Sequence, residues 1–201
     1  MSPIRNLVLG VLLALVALVG VLGSAAIALG ATPTPQQRMD AQAAWMASVL
    51  HVPVPTRPVV VGGLQPDNVG EADADGVIRL APAYANGSPG AVYARQHELD
   101  HRPGNAACWG EAGSAERALE EGLADAVAQD LMPAAMHRFA PQWWGFVLES
   151  GYEQEVRNVR YASAAATGRP WRSREARLWR RALWGADCDG RVAMLARVGA
   201  G

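Results

Sequence analysis

The stretch Gln96-His97-Glu98-Leu99-Asp100-His101 decides how the chain is read. It contains the pattern H-E-x-x-H. On a helix, His97 and His101 share one face, with side chains roughly 5–6 Å apart. That separation lets both imidazoles reach one Zn²⁺ at about 2.0–2.1 Å each. Glu98 projects about 100° round such a helix from His97. It is poorly placed as a third ligand and well placed as a general base toward water at the metal. Chance is a weak rival. Random placement of four His and ten Glu among 201 residues yields roughly 0.004 such matches.

A catalytic zinc site takes three protein ligands and leaves one position open. Downstream lies Glu120-Glu121-Gly122-Leu123-Ala124-Asp125-Ala126. Together the two blocks resemble the gluzincin metallopeptidases, the thermolysin-like group, which combine H-E-x-x-H with a later E-x-x-x-D. Glu121 and Asp125 match that second pattern. Glu121 lies twenty residues past His101, a spacing like thermolysin's own. The resemblance implies that Glu121 is the third ligand and that Asp125 accepts the far ring N–H of His97, setting its tautomer. Glu120 competes with Glu121, but only Glu121 has Asp four residues later; Glu120 is expected at the surface or orienting a neighbour. Asp100 receives no role.

The resemblance covers residues 76–130. It implies a zincin-like α+β domain, mostly helical with a small sheet, that hydrolyses peptide bonds in a peptide or protein substrate. It also implies an edge strand beside the metal helix that binds extended substrate, and Val77 to Leu80 is the candidate. Thermolysin-like enzymes stabilise the transition state with His and Tyr from later in the chain. His137, Tyr152 and Tyr161 are the candidates here, and no motif chooses among them. Peptide deformylases also carry Q-H-E-x-D-H, but their third ligand is an upstream cysteine. No cysteine precedes His97, so the shared six residues read as convergence.

Length and an apolar content of 50% suit one ordinary domain with a real core. The net charge of −1 offers no basic field for nucleic acid. All 18 basic residues are arginine, which reads as coding bias. The two cysteines, Cys108 and Cys188, form no C-x-x-C pair, so a structural zinc finger is unsupported. They are compatible either with one disulfide in an oxidising compartment or with two buried thiols.

Residues 1–31 read as a signal anchor or a signal peptide. Arg5 is the only charge before Arg38, and Leu7 to Ala31 is almost wholly apolar. About 20 apolar residues span a bilayer, longer than a typical cleavable signal, although Ala26-Ile27-Ala28 resembles a cleavage site. Either way residues 32–201 form the domain, expected outside the cytoplasm and either tethered to the membrane or secreted.

Within that domain, Thr34 to Gln37 with Pro35 predicts a helix to about Leu50. Val59-Val60-Val61 and Gly76 to Leu80 predict strands. Glu71 to Ile78 imitates part of a Ca²⁺ loop but lacks its closing Glu, and reads as a turn entering a strand. Ser88 and Ser114 are expected to cap the two metal helices, over residues 90–101 and 115–130, with Met132-Pro133 closing the second. Further helices are expected over 134–139, 142–150, 153–167 and 171–184. Trp143, Trp144, Phe146 and Val147 are expected in the core. The arginines around Trp171 and Trp179 are expected to form a solvated face. That Trp- and Arg-rich C-terminal part motivates an alternative function, an exported zinc-binding module that assembles with a partner and catalyses nothing.

Overall fold

In a computed structural model of the chain, residues 32–51, 53–55, 57–65, 68–73, 76–101, 110–111, 114–143 and 151–199 are described. Helix α1, Pro35–Leu50, starts and ends as its capping pattern predicts. Met39, Ala43, Met46 and Leu50 recur every three or four residues and are all buried. One helical face therefore enters the core.

Three short strands follow: β1 (Val59–Val61), β2 (Gly70–Ala72) and β3 (Ile78–Leu80). The order is β1-β3-β2. β3 runs parallel to β1, with Val59 opposite Ile78, and antiparallel to β2, with Gly70 opposite Leu80. Ile78 and Leu80 point inward and are fully buried, whereas Arg79 between them is not. This is the period of two expected of a half-buried strand. The expectation for Val77 to Leu80 as substrate-binding edge is corrected here. β3 is central, and both its edges are already paired. β2, a Gly-Glu-Ala strand with little intrinsic preference for extension, is an edge. Gly76 N–H donates to the Asp73 carbonyl at 3.0 Å, with Gly76 at φ 96°; Glu71 and Ala72, expected in the turn, belong instead to β2, and residues 74–75 lie outside the described residues.

Helix α2, Pro89–Asp100, carries the H-E-x-x-H block. Ser88 caps it, its Oγ accepting from the Ala91 N–H at 3.3 Å, and Pro89 occupies the first turn. Arg57 closes the other end. Its buried guanidinium donates to the carbonyls of Glu98 (3.1 Å) and His101 (2.9 Å), where a cation meets the negative end of the helix. The same group donates to the carbonyls of Asp73 and Gly76 at 2.9 Å each. Arg57 therefore ties Asp73 and Gly76 to the C-terminal end of α2.

Helix α3, Ala115–Phe139, begins at a Ser114 cap as predicted but runs straight through Pro133. The expected stop at Met132-Pro133 is wrong for a physical reason. Pro133 faces solvent, so water can satisfy the carbonyl its missing N–H abandons. Leu131, Ala135 and Met136 meanwhile hold the opposite face in the interior. Helix α4, Glu153–Thr167, matches its predicted span and ends on Gly168 at φ 62°. Helix α5, Arg174–Gly185, is capped by Ser173. Helix α6, Cys188–Gly199, was not expected.

One core joins α1, the sheet and helices α2 to α5, with Leu99, Leu123, Val127, Val156, Leu183 and Trp184 at its centre. α4 crosses α3 at Gly122, where an added Cβ would lie 2.7 Å from the Glu155 backbone. That close approach needs glycine. Arg180 departs from the solvated arginine face: it is fully buried and forks onto Asp130, with Nε–Oδ2 at 2.9 Å and an Nη2–Oδ1 bond at 2.8 Å. Arg172 and Arg174 are exposed, and Arg160 and Arg172 lie over the Trp171 ring at 4.1 and 4.7 Å. Trp143 is 48% exposed rather than core. Trp144, Phe146, Val147 and the whole 1–31 segment lie outside the described residues. Among the described residues no helix is long and apolar enough to cross a membrane. Cys188 is disulfide-bonded; the sequence holds one other cysteine, Cys108, outside the described residues.

Candidate metal centre

The antiparallel packing of α2 on α3 brings His97, His101 and Glu121 together, all buried. His97 Nε2 lies 3.1 Å from Glu121 Oε2 and 3.1 Å from His101 Nε2. His101 Nε2 lies 3.4 Å from Glu121 Oε2. Three ligand atoms in tetrahedral positions 2.0–2.1 Å from one ion stand about 3.3–3.4 Å apart. The observed triangle has that size. Two imidazoles and a carboxylate also suit a zinc-like divalent cation chemically. This buried group can hold a metal ion.

Both histidines turn Nε2 inward, which leaves both Nδ1 atoms for carboxylates. His97 Nδ1 meets Asp125 Oδ1 at 3.3 Å, as expected. His101 Nδ1 meets Glu120 Oε1 at 3.3 Å; Glu120 is buried and orients a neighbour rather than lying at the surface. An Nδ1–H donated to a carboxylate leaves Nε2 with its lone pair toward the metal position. Each carboxylate is held in turn. The Tyr93 hydroxyl donates to Asp125, and Gln129 Nε2 donates to Asp125 Oδ2 at 3.3 Å. Arg191 of α6 donates to Glu120.

Charge in the group is strongly coupled. Burial alone would lower the His97 pKa, but hydrogen bonds to Asp125 and Glu121 push it well above the ordinary 6.5. For His101 burial is likewise outweighed, here by Glu120 and Glu121. Burial opposes ionisation of Glu121, yet hydrogen bonds from His101 and His97 hold it well below the usual carboxylate range. Its second oxygen, Oε1, takes the Arg117 guanidinium at 2.5 Å.

Glu98, beside the triangle, lines a cavity of about 440 Å³ together with His97, Val69, Gly70, Tyr84, Tyr93 and Tyr152. Burial raises the Glu98 pKa, with the His97 and His101 charges pulling it back down. β2 reaches this carboxylate only because residue 70 is glycine. A Cβ there would sit 2.5 Å from Glu98 Oε1.

Of the three candidate stabilisers, the structure brings one to the site. The Tyr152 ring stacks on His97, with centroids 5.7 Å apart and planes 5° off parallel. Burial, followed by the charges of Glu121 and Glu98, pushes its hydroxyl up to about 12, so it stays a donor at neutral pH. His137, in the last turn of α3, is exposed, and Tyr161 is 63% exposed; neither lines the cavity. Asp100 is fully buried and neither carboxylate oxygen has a hydrogen-bond partner. Burial pushes its pKa well above the ordinary value. Arg117, Tyr93 and Arg191 carried no recognisable motif.

No known protein family, curated protein or solved structure matches the chain.

Proposed function

We propose that the domain is a zinc-dependent metallopeptidase in which His97, His101 and Glu121 hold the metal. One observation carries the reading: the inward Nε2–Nε2–Oε2 triangle stands beside a separate buried carboxylate, Glu98, that faces an open cavity. A cation held there supplies Lewis acidity that polarises a carbonyl and acidifies water. Glu98 takes the proton from the attacking water and returns it to the leaving amine, a task suited to a carboxylate whose pKa is raised by burial. Tyr152 donates its hydroxyl to the oxygen on which charge develops. Asp125 and Glu120 hold the imidazole tautomers. The free edge of β2 beside Glu98 accepts the peptide as an added strand, backbone to backbone. In this reading the domain works outside the cytoplasm, on the strength of the apolar 1–31 segment and of the disulfide at Cys188.

The decisive experiment is Glu98→Gln in the full chain. Zinc content should stay at one per chain while cleavage of a peptide library falls to background. Undiminished cleavage by that variant overturns the mechanism. Zinc binding by the native chain with no chelator-sensitive cleavage would instead favour a non-catalytic, partner-binding module.

A further inference from the structure

We propose that Arg191 is a positioning residue for the metal ligand His101, acting through Glu120, so that the C-terminal helix α6 is part of the metal centre. This rests on the reading that His97, His101 and Glu121 bind a divalent cation. The chain of contacts is continuous and closed to solvent. His101 Nδ1 meets Glu120 Oε1 at 3.3 Å, and Arg191 donates to the other oxygen, Glu120 Oε2. His101, Glu120 and Arg191 are 2%, 1% and 4% exposed. Arg191 is itself anchored, donating through its other terminal nitrogen to the Trp184 carbonyl at 3.2 Å. Trp184 in turn donates its indole N–H to the Asp100 carbonyl at 2.7 Å, at the end of the metal helix. Arg191 thus holds the α3 carboxylate that meets His101, while Trp184 holds the backbone of α2 beside that histidine.

The physical argument is about orientation. An imidazole turns about its Cβ–Cγ bond unless its second nitrogen is held, and a ligand free to turn binds a metal less tightly. Glu120 can hold His101 only if its own carboxylate is fixed. A charged donor fixes a carboxylate through a stronger bond than a neutral donor does. A purely structural ion pair would have needed only one oxygen of Glu120 and no histidine. Here the pair is completed at both oxygens, and one of the two partners is a metal ligand.

The test uses the full chain loaded with Zn²⁺, and with Co²⁺ for its visible bands. Glu120→Gln and Arg191→Met should each weaken Zn²⁺ affinity by about 10–100-fold in chelator competition and shift the Co²⁺ spectrum. Arg191→Lys should retain most of the affinity. Because Arg191→Met strands a buried carboxylate, the double variant Glu120→Gln/Arg191→Met is included, since it removes both charges of the pair. If the pair serves only to stabilise the fold, the double variant recovers native Zn²⁺ affinity and the native Co²⁺ spectrum, and the proposal falls. If it positions His101, the double variant folds and stays weakened. A native chain that binds no Zn²⁺ overturns the underlying metal reading instead, and the two failures are distinct.

Discussion

The two histidines of α2 are supported in the same way and from opposite sides. His97 leans on Asp125, which sits one turn along α3 from Glu121 and is held by Tyr93 and Gln129. That side opens onto the cavity where Glu98 and Tyr152 lie. His101 leans on Glu120, which is held by an arginine 71 residues downstream. That side is closed, with Trp184 sealing the end of the helix. The difference teaches how one ligand set serves two needs. On the open side Asp125 is held by neutral donors, Tyr93 and Gln129. The closed side uses a buried charge pair, which costs too much to leave unmade and so resists turning.

This contrast can be broken on the open side first. Tyr152→Phe should lower turnover by about 10²–10³-fold, the usual effect of removing one oxyanion donor. Zinc affinity should not move, because the ring still stacks on His97. A large loss of zinc in that variant would make Tyr152 a support rather than a donor. Next in size, Asp125→Asn should weaken zinc by about 10–100-fold, measured by the same chelator competition as Glu120→Gln. If Asp125→Asn is silent while Glu120→Gln is not, the two sides are unequal and the closed side holds the metal.

Smaller effects sharpen the comparison. Gly122→Ala places a methyl against the Glu155 backbone and should destabilise the fold by about 1–3 kcal/mol in denaturant titration. Because Tyr152 sits at the start of α4, turnover should fall further than metal affinity does. The smallest effect is with pH. In the metal-free protein both histidines have raised pKa values. Their contribution to stability is therefore complete below their ordinary 6.5 and is lost as pH rises through the raised values. The chelated protein should melt a few degrees lower at about pH 8.5 than at about pH 6. Zinc affinity should change in the opposite sense, rising with pH, since binding displaces those protons. Metal-free melting that is flat across this range would mean the carboxylates do not hold the ring protons.

The helical part of the open side was legible, although Tyr93 was not and Tyr152 was one of three candidates. Glu121 and Asp125 were singled out by the resemblance to E-x-x-x-D, whereas His97 and His101 lie one helical turn apart, so local spacing put them on one face. The caps Ser88 and Ser114 were legible for the same reason. The closed side was not. Nothing local marks Arg191 among 18 arginines, and α6 itself went unrecognised. β2 was missed because Gly-Glu-Ala has no strand pattern; it is a strand only through pairing with β3. Pro133 misled because its cost depends on which face it occupies, and that is settled by what packs behind it.

By itself, the sequence determined which residues can bind a cation and on which two helices they lie, because helical periodicity is a property of the chain alone. Tertiary packing decided which carboxylate each imidazole leans on, which tyrosine reaches the site and which strand borders it. With the Arg191–Glu120 pair, those contacts join residues up to 71 positions apart. Only the burial of one shared core sets how such distant elements meet.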